Sequence, residues 1–309
     1  MTTVVYGEAL VDDFGSEQIV GGAPFNVARH LAAFMAPQLM ITRIGNDRNG
    51  GVVHAEFERF AMPDVGLQID RMEETGRVVV ERTGKGGNGG HRFAIVAGQA
   101  YDYINPEQAL DAMDSVDPSL FYFGTLAQRS PRSRDTLHAL LDATNAQRFL
   151  DLNLREGHFD ERCVFPSLQA ADLVKVNAEE LENLFGWYCN IRPSDGPLPA
   201  EAVRAACAAL VQQFSLDGLI VTLGSRGSAW FGSDGQVVLH RDNPAPPFII
   251  DTVGAGDAFA AIYLLGRARG WELEPTLARA NEFAAAICSL PGAIPRTMDF
   301  YDRWQARWR

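Results

Sequence analysis

The chain has 309 residues, of which 47% are hydrophobic, and its formal net charge is −12. This composition suffices for a sizeable core, and the negative charge argues against nucleic acid or an anionic membrane surface as a partner. The four cysteines form no C-x-x-C pair, the N-terminal residues lack a signal-peptide pattern, and no apolar run approaches the roughly 20 residues of a membrane span. We expect a cytoplasmic protein built as one large domain.

Short apolar segments alternate with longer segments of helical periodicity along the chain. The segments with strand character are TVVYGEAL, LMITRIG, SLFYFG, RFLDLN, ADLVKVN and GLIVTLG. Helical patterns such as PFNVARHLAAF lie between them, so we predict a parallel sheet with helices on both faces. Ligands bind beyond the carboxyl ends of the strands in such folds. The residues at these ends are Asp12, Asn153, Asn177 and Gly224.

Two further strand-like segments, TGRVVVERT and HRFAIVAG, break the alternation because no helix lies between them. The stretch that joins them contains Gly84, Gly86 and Gly89 in G-x-G-x-x-G spacing. A phosphate-binding loop of this type needs a helix after its glycines, and here a strand pattern follows. We therefore predict a hairpin turn in a small separate sheet, with a mobile flap over a ligand as the alternative.

A better candidate for a phosphate site is DTVGAGDAFAAIYLLG at 251–266. Gly254, Ala255 and Gly256 lead directly into an apolar-periodic helix, where backbone N–H groups and the helix dipole together attract an anion. Asp257 follows them. It is either a helix-capping or first-turn acid, or a carboxylate that accepts a hydroxyl proton during phosphoryl transfer.

DTVGAGDAFAA resembles the C-terminal signature of the ribokinase-like (PfkB) carbohydrate kinase family, and GGAPFNVARHLAAF resembles its N-terminal signature. GEALVD, RIGNDRNG, DLNLR, KVNAEEL, VTLGSRGS and ANEFAAAICSLPGA follow in the family's order. The resemblance implies one ribokinase-like α/β domain over 1–309 with three layers, α/β/α. A mainly parallel sheet of nine or so strands would be central, with a small β-sheet lid from segments near 10–20 and 75–104.

The resemblance also implies an ATP-dependent sugar kinase. Asp257 would be the base, and Gly254, Ala255 and Gly256 would hold the transferred γ-phosphoryl group. The implied substrate-binding residues are Asp12, Gly21, Gly22, Asn26, Asn153 and Arg155. Taken without the resemblance, Asn26 is a helix-start residue, the two glycines form a turn, and Arg155 makes an ion pair at a strand end.

Nucleotide and metal positions follow from the same resemblance. The implied nucleotide-binding residues are Asn177, Thr222, Gly224, Gly227 and Asn281. Glu180 would organise the Mg²⁺ of MgATP through water, although Asn177 and Glu180 also fit an ordinary helix start and Asn281 fits a core helix. The resemblance also implies that a monovalent cation, K⁺, binds to backbone carbonyl groups near Asp251, Val253 and Gly292.

GEALVD, GGAPFN and DLNLR resemble fructokinase-type members more than ribokinases, so we expect fructose as the acceptor. Two departures argue against fructose itself. Phe25 stands where relatives usually have a small residue, and FAIVAGQAYDY lacks an arginine that many fructokinases carry there. The alternatives are 2-keto-3-deoxygluconate, ribose or a nucleoside as acceptor, or an inactive sugar- or nucleotide-binding regulatory module. An exposed edge of the lid sheet would allow a homodimer.

Overall fold

A computed structural model describes residues 1–13, 18–83, 90–159, 161–189, 201–241 and 248–308. The glycine-rich residues 84–89 lie outside the described part, so their turn geometry stays a prediction. Within the described part, no helix is both long and apolar enough to cross a membrane.

The described part contains thirteen strands and ten α-helices. The strands are β1 (Thr2–Tyr6), β2 (Leu10–Asp13), β3 (Gln18–Gly21), β4 (Gln38–Gly45), β5 (Leu67–Asp70), β6 (Gly76–Thr83), β7 (Gly90–Ile95), β8 (Pro118–Phe123), β9 (Gln147–Asp151), β10 (Leu173–Asn177), β11 (Gly218–Thr222), β12 (Ser228–Gly232) and β13 (Val237–His240). The helices are α1 (Ala23–Ala33), α2 (Arg48–Arg59), α3 (Pro106–Asp114), α4 (Pro131–Asp142), α5 (Glu161–Ala170), α6 (Ala178–Tyr188), α7 (Glu201–Gln213), α8 (Ala255–Arg269), α9 (Leu273–Ile287) and α10 (Asp299–Arg307).

Nine strands form the central sheet, in the order β13-β12-β11-β10-β9-β8-β1-β4-β5. The strands from β11 to β5 in this order are parallel, and β12 and β13 are antiparallel to their neighbours. Successive strand residues face opposite sides of the sheet. Val4 therefore belongs to the core that contains residues of α3 to α7, and Val5 belongs to the core on the opposite face, which contains residues of α1, α2, α8, α9 and α10. The predicted three-layer fold with a mainly parallel sheet is confirmed.

A second, smaller sheet has the order β3-β2-β6-β7. Strands β6 and β7 are an antiparallel pair on either side of the glycine-rich residues, which confirms that two strands without a helix flank them. The segment TVVYGEAL does not form one strand, because β1 ends at Tyr6 and Leu10 begins β2 in the smaller sheet. Gly7, with φ of 148° and in close contact with Pro24, allows this change of direction.

The break after β1 corrects one placement. Asp12 was expected at the carboxyl end of a central strand, and it lies instead within β2, opposite Ile19 of β3. The residues expected at the ends of the other strands keep their positions, because Asn177 ends β10 and Gly224 follows β11.

Candidate active site

The start of α8 forms one wall of the candidate site. Gly254 precedes the helix with φ of 76°, and a Cβ atom at this position would collide with Ala293. Among the described residues, no side chain caps this end of the helix. The first-turn N–H groups have no acceptor within the helix, so the helix start has the geometry that an anion requires.

Asp257 is the third residue of α8 and is 8% exposed. Its Oδ2 accepts a hydrogen bond of 2.6 Å from Nδ2 of Asn26, so the carboxylate faces α1. Burial raises the pKa of Asp257, while the Asn26 hydrogen bond and the charges of Arg155 and Lys175 oppose the rise. The result is a buried, oriented carboxylate beside a helix start that no described side chain caps.

Asn26 is held in place by Arg29, a residue that the sequence did not single out. Nη2 of Arg29 donates to Oδ1 of Asn26 at 2.6 Å, and Nη1 donates to Glu56 at 2.7 Å. Arg29 is 1% exposed and also donates to the Val20 carbonyl of β3. The signal was present in the sequence, because Asn26 and Arg29 are three residues apart in the helical segment PFNVARHLAAF, a spacing that brings two side chains together on one helix face.

Gly21 and Gly22 allow close packing at the start of α1. Gly22 has φ of 102°, and a Cβ atom there would lie 2.5 Å from the Glu8 carbonyl oxygen. A Cβ atom at Gly21 would lie 3.1 Å from Oδ2 of Asp12. The glycine pair therefore brings the Asp12 carboxylate against the backbone that leads into α1.

Two raised pKa values mark this side of the site. Glu8 is 3% exposed and accepts a hydrogen bond from the Ala23 N–H. Burial raises the pKa of Glu8 to about 7 and that of Asp12 to about 6, and the charge of Arg155 lowers both. Glu8 was not predicted as a site residue, although it stands in the GEALVD segment.

Arg155 is exposed and lies within electrostatic reach of Glu8, Asp12 and Asp257. It follows Asn153, which has φ of 40°, a left-handed conformation that asparagine adopts more readily than most residues. The structure thus brings Arg155 into the neighbourhood of the site, whereas a contact of Asn153 with a sugar stays a prediction.

A buried ion pair lies under the start of α8. Nζ of Lys175 is 2.9 Å and 3.0 Å from the two carboxylate oxygens of Asp151, and the Tyr122 hydroxyl donates to the same carboxylate at 3.2 Å. A Cβ atom at Gly256 would be 3.4 Å from this Nζ. The Lys175–Asp151 ion pair therefore lies directly behind the helix start. No pattern in the sequence singled out Lys175.

Asn177 and Glu180 form an ordinary helix start, which the sequence predicted as the alternative to a metal-binding role. Oδ1 of Asn177 accepts from the Glu180 N–H at 2.9 Å, and the Glu180 carboxylate accepts from the N–H groups of Asn177 and Leu154, both at 2.8 Å. Burial raises the pKa of Glu180, and Lys175 opposes the rise. Both oxygens have backbone donors, which leaves contact with a metal through water as the fitting role.

The described residues contain no group of three or more histidine, cysteine or acidic side chains that could enclose a metal ion. Mg²⁺ keeps several waters and is usually held by one or two carboxylates together with substrate phosphates, and the buried Glu180 carboxylate is of the type that contacts it through water. The structure is thus compatible with a magnesium ion that arrives with a nucleotide.

Thr222 ends β11 directly beside Asn177 of β10. Gly224 and Gly227 follow with φ of 60° and 92°, and a Cβ atom at Gly227 would collide with the His240 carbonyl. These residues share one edge of the sheet with Asn177, and binding of a nucleotide there stays a prediction. Asn281 is instead a buried residue of α9. Its Nδ2 donates to the Ser228 hydroxyl and the Leu277 carbonyl, as expected for a core helix.

The residues of the implied K⁺ site lie on two neighbouring loops. The Asp251 carboxylate accepts hydrogen bonds from the Val253 N–H at 3.0 Å and from the Gly292 N–H at 3.1 Å. Asp251 thus joins the loop before α8 to the loop after α9. Binding of a cation by their carbonyl groups stays a prediction.

The chain matches the family model described as pfkB family carbohydrate kinase over residues 4–299, and it belongs to that family. A fructokinase from Klebsiella pneumoniae is 27% identical, with 94% of each chain covered. A ribokinase from Arabidopsis thaliana is 24% identical over 92% of this chain and 70% of its own length. The carbohydrate kinase class expected from the sequence is confirmed.

Solved structures agree on the fold. A fructokinase from Xylella fastidiosa with bound ATP has a TM-score of 0.80 at 22% identity, covering 94% of this chain and 93% of its own. A 2-dehydro-3-deoxygluconokinase from Thermotoga maritima has a TM-score of 0.78 at 18% identity over 99% of each chain. At these identities the similarity establishes the ribokinase-like fold and leaves the acceptor undecided.

Proposed function

We propose that this carbohydrate kinase transfers the γ-phosphoryl group of MgATP to a primary hydroxyl of a sugar, with fructose as the first acceptor expected. The observation that carries the proposal is the buried Asp257 carboxylate, oriented by Asn26 at an uncapped helix start. The fructokinase from Klebsiella pneumoniae and the ATP-bound fructokinase structure support it.

In the proposed reaction, Asp12 and Asn26 hydrogen-bond sugar hydroxyls, since carboxylate and amide groups suit such partners. Asp257 accepts the proton of the attacking hydroxyl. The backbone N–H groups of Gly254, Ala255 and Gly256 stabilise charge on the moving phosphoryl group.

MgATP, when bound, supplies the phosphoryl group and a cation that neutralises phosphate charge. Asn177 and Glu180 would contact that cation through water, and Thr222, Gly224 and Gly227 would line the nucleotide. Asn281 would border the nucleotide from its position in α9. The implied K⁺ would bind to backbone carbonyl groups of the loops at Asp251, Val253 and Gly292.

The smaller sheet is proposed as a lid over the sugar. The Arg29 side chain bonds both Asn26 and the Val20 carbonyl of β3, which couples that sheet to the sugar-binding helix. Closure would exclude water and limit ATP hydrolysis. Pairing of two subunits through the lid edge is proposed on the same sheet.

One of the two departures from fructokinases concerns a core position. Phe25, which stands where relatives usually have a small residue, is fully buried with its ring stacked on Phe57 of α2 at 5.1 Å. Its side chain therefore packs in the core between α1 and α2. The 2-keto-3-deoxygluconate alternative keeps one support, the fold shared with the Thermotoga maritima enzyme.

An ADP-release assay over a panel of sugars tests the proposal. Asp257→Asn should retain binding of sugar and nucleotide and lose about 10²–10⁴-fold in rate, the usual effect of removing an acid–base group. Asp299→Asn, an exposed first-turn aspartate of α10, is the matched control and should keep wild-type turnover. Near-normal turnover of Asp257→Asn would remove the base assignment. Ligand binding without ADP release for any sugar would favour the inactive module.

A further inference from the structure

A cavity of about 430 Å³ lies at the base of the smaller sheet. Its walls are the residues after β7, the 3₁₀ turn Ala100–Tyr103, the start of α4 and the loop after β9. The volume is in the range of small-molecule sites, roughly 300–1,000 Å³. The charged and polar groups that line it include Asp102, Arg129, Ser130, Arg134 and His158.

Arginine is concentrated around this cavity in a chain of net charge −12. The sequence RSPRSR at 129–134 surrounds the first turn of α4, which contains no acidic residue. Positive side chains at a helix N-terminus oppose the helix dipole and cost stability. The Ser130 hydroxyl does not cap the helix, because it donates to the Asp102 carbonyl at 2.6 Å. A bound anion would compensate this accumulation of positive charge.

The two arginines of the cavity differ in their partners. Arg129 donates to both carboxylate oxygens of Asp102 at 2.8 Å and to the Val96 carbonyl at 2.7 Å, so its charge is neutralised and it fixes the end of the smaller sheet. Arg134 makes a long contact of 3.5 Å to the Gln128 carbonyl. In the part of the chain that the structure describes, no carboxylate forms an ion pair with Arg134.

His158 supplies a neutral donor to the same space. Burial and the neighbouring Arg129 lower its pKa, so the imidazole is uncharged at neutral pH. Nδ1 of His158 lies 3.3 Å from Nη1 of Arg129, which can only donate. Nδ1 is therefore the acceptor, and Nε2 carries the proton. An uncompensated guanidinium and an N–H donor together suit an oxygen-rich anion.

Glu8 connects the cavity with the proposed sugar site. It lies within electrostatic reach of both Asp257 and Arg129, and Arg129 lines the cavity. Gly157 and His158 of the cavity also belong to the loop that carries Arg155. Glu8 and the loop of Arg155 thus connect the cavity with the proposed sugar site.

We propose that this cavity binds a small oxyanion, a carboxylate or phosphate group, through Arg134 and His158. The anion is carried by the acceptor, as in a sugar acid, or binds as a separate molecule beside a neutral sugar. The connection with the acceptor rests on the proposed kinase function, whereas binding of the anion does not.

Calorimetric titration with inorganic phosphate tests the binding directly. Arg134→Gln should weaken phosphate binding at least about tenfold, the scale of one charge-assisted hydrogen bond. Arg132→Gln is the matched control, because Arg132 is exposed on the same turn and does not line the cavity. It should change the affinity less than about twofold, since exposed charges act weakly.

A second variant, His158→Gln, should weaken phosphate binding as well, and melting curves of all variants report whether they fold. Absence of saturable phosphate binding by the wild type would overturn the proposal. Equal weakening by Arg132→Gln and Arg134→Gln would overturn it too, because the effect would then come from surface charge alone.

Kinetics then separate the two sources of the anion. If the acceptor carries it, Arg134→Gln raises KM for 2-keto-3-deoxygluconate and leaves fructose unchanged. If the anion is separate, phosphate alters ADP release with fructose in the wild type and has no effect on Arg134→Gln. Phosphate binding that depends on Arg134, without ADP release from any acceptor, would remove the kinase proposal and retain the oxyanion site. Binding that affects neither acceptor would remove the connection between the two sites.

Discussion

Glu8 is a buried carboxylate whose ionisation should lower the stability of the fold. Burial raises its pKa from the ordinary 4.5 to about 7, and repulsion from Asp257 acts in the same direction. The folded state therefore binds the proton more tightly than the unfolded chain, so stability falls as pH rises from 4.5 through 7. Since one pH unit between the two pKa values corresponds to about 1.4 kcal/mol, the ionised side chain costs about 3 kcal/mol at pH 8.

Glu8→Gln removes the ionisation and keeps the shape of the protonated side chain. Urea titrations should give a free energy of unfolding about 3 kcal/mol above wild type at pH 8, and less than about 1 kcal/mol above it at pH 5. Glu58→Gln, at a side chain that is 74% exposed on α2, is the control and should show no comparable pH dependence. A Glu8→Gln difference of equal size at both pH values would refute the burial argument.

Three further substitutions test the site. Asn26→Ala removes a hydrogen bond that lowers the pKa of Asp257, so the acid limb of kcat/KM, where the ionised base is lost, should move to higher pH; an unmoved limb would count against this pairing. Gly254→Ala places a methyl group on a residue with φ of 76°, against the neighbouring loop at Ala293. It should lower the free energy of unfolding in urea titrations by about 1–3 kcal/mol and weaken nucleotide binding in a calorimetric titration. Lys175→Met leaves the Asp151 carboxylate unpaired and should lower the free energy of unfolding by about 3–5 kcal/mol. The double variant that also carries Asp151→Asn should recover part of this loss in the same urea titration.

Local patterns predicted most of the secondary structure and the family. Strands such as β10 and β11 are buried on both faces, and their apolar runs are visible without the fold. The GAGD segment was predicted as an anion-binding helix start because glycine, small residues and an apolar-periodic helix are adjacent in the chain. These features depend on neighbours in sequence, so the sequence alone suffices to find them.

Contacts between distant segments required the tertiary structure. The hydrogen bond between Asn26 and Asp257 joins residues 231 positions apart. Glu8, which follows β1, and Lys175 of β10 also lie within electrostatic reach of Asp257. Phe25 precedes Asn26 in the chain, but successive helix residues point in different directions, and the structure shows that Phe25 faces the core.

Local sequence patterns suffice to predict a mainly parallel α/β protein of a carbohydrate kinase family, because hydrophobic periodicity and glycine spacing are local properties. Which carboxylates are buried, and which groups face them, depends on how distant segments pack. The tertiary structure also placed Arg134 and His158 in one cavity, although 24 positions separate them in the chain. The pKa of a group depends on its burial and on the charges near it. Burial and these neighbouring charges arise only when distant segments pack together.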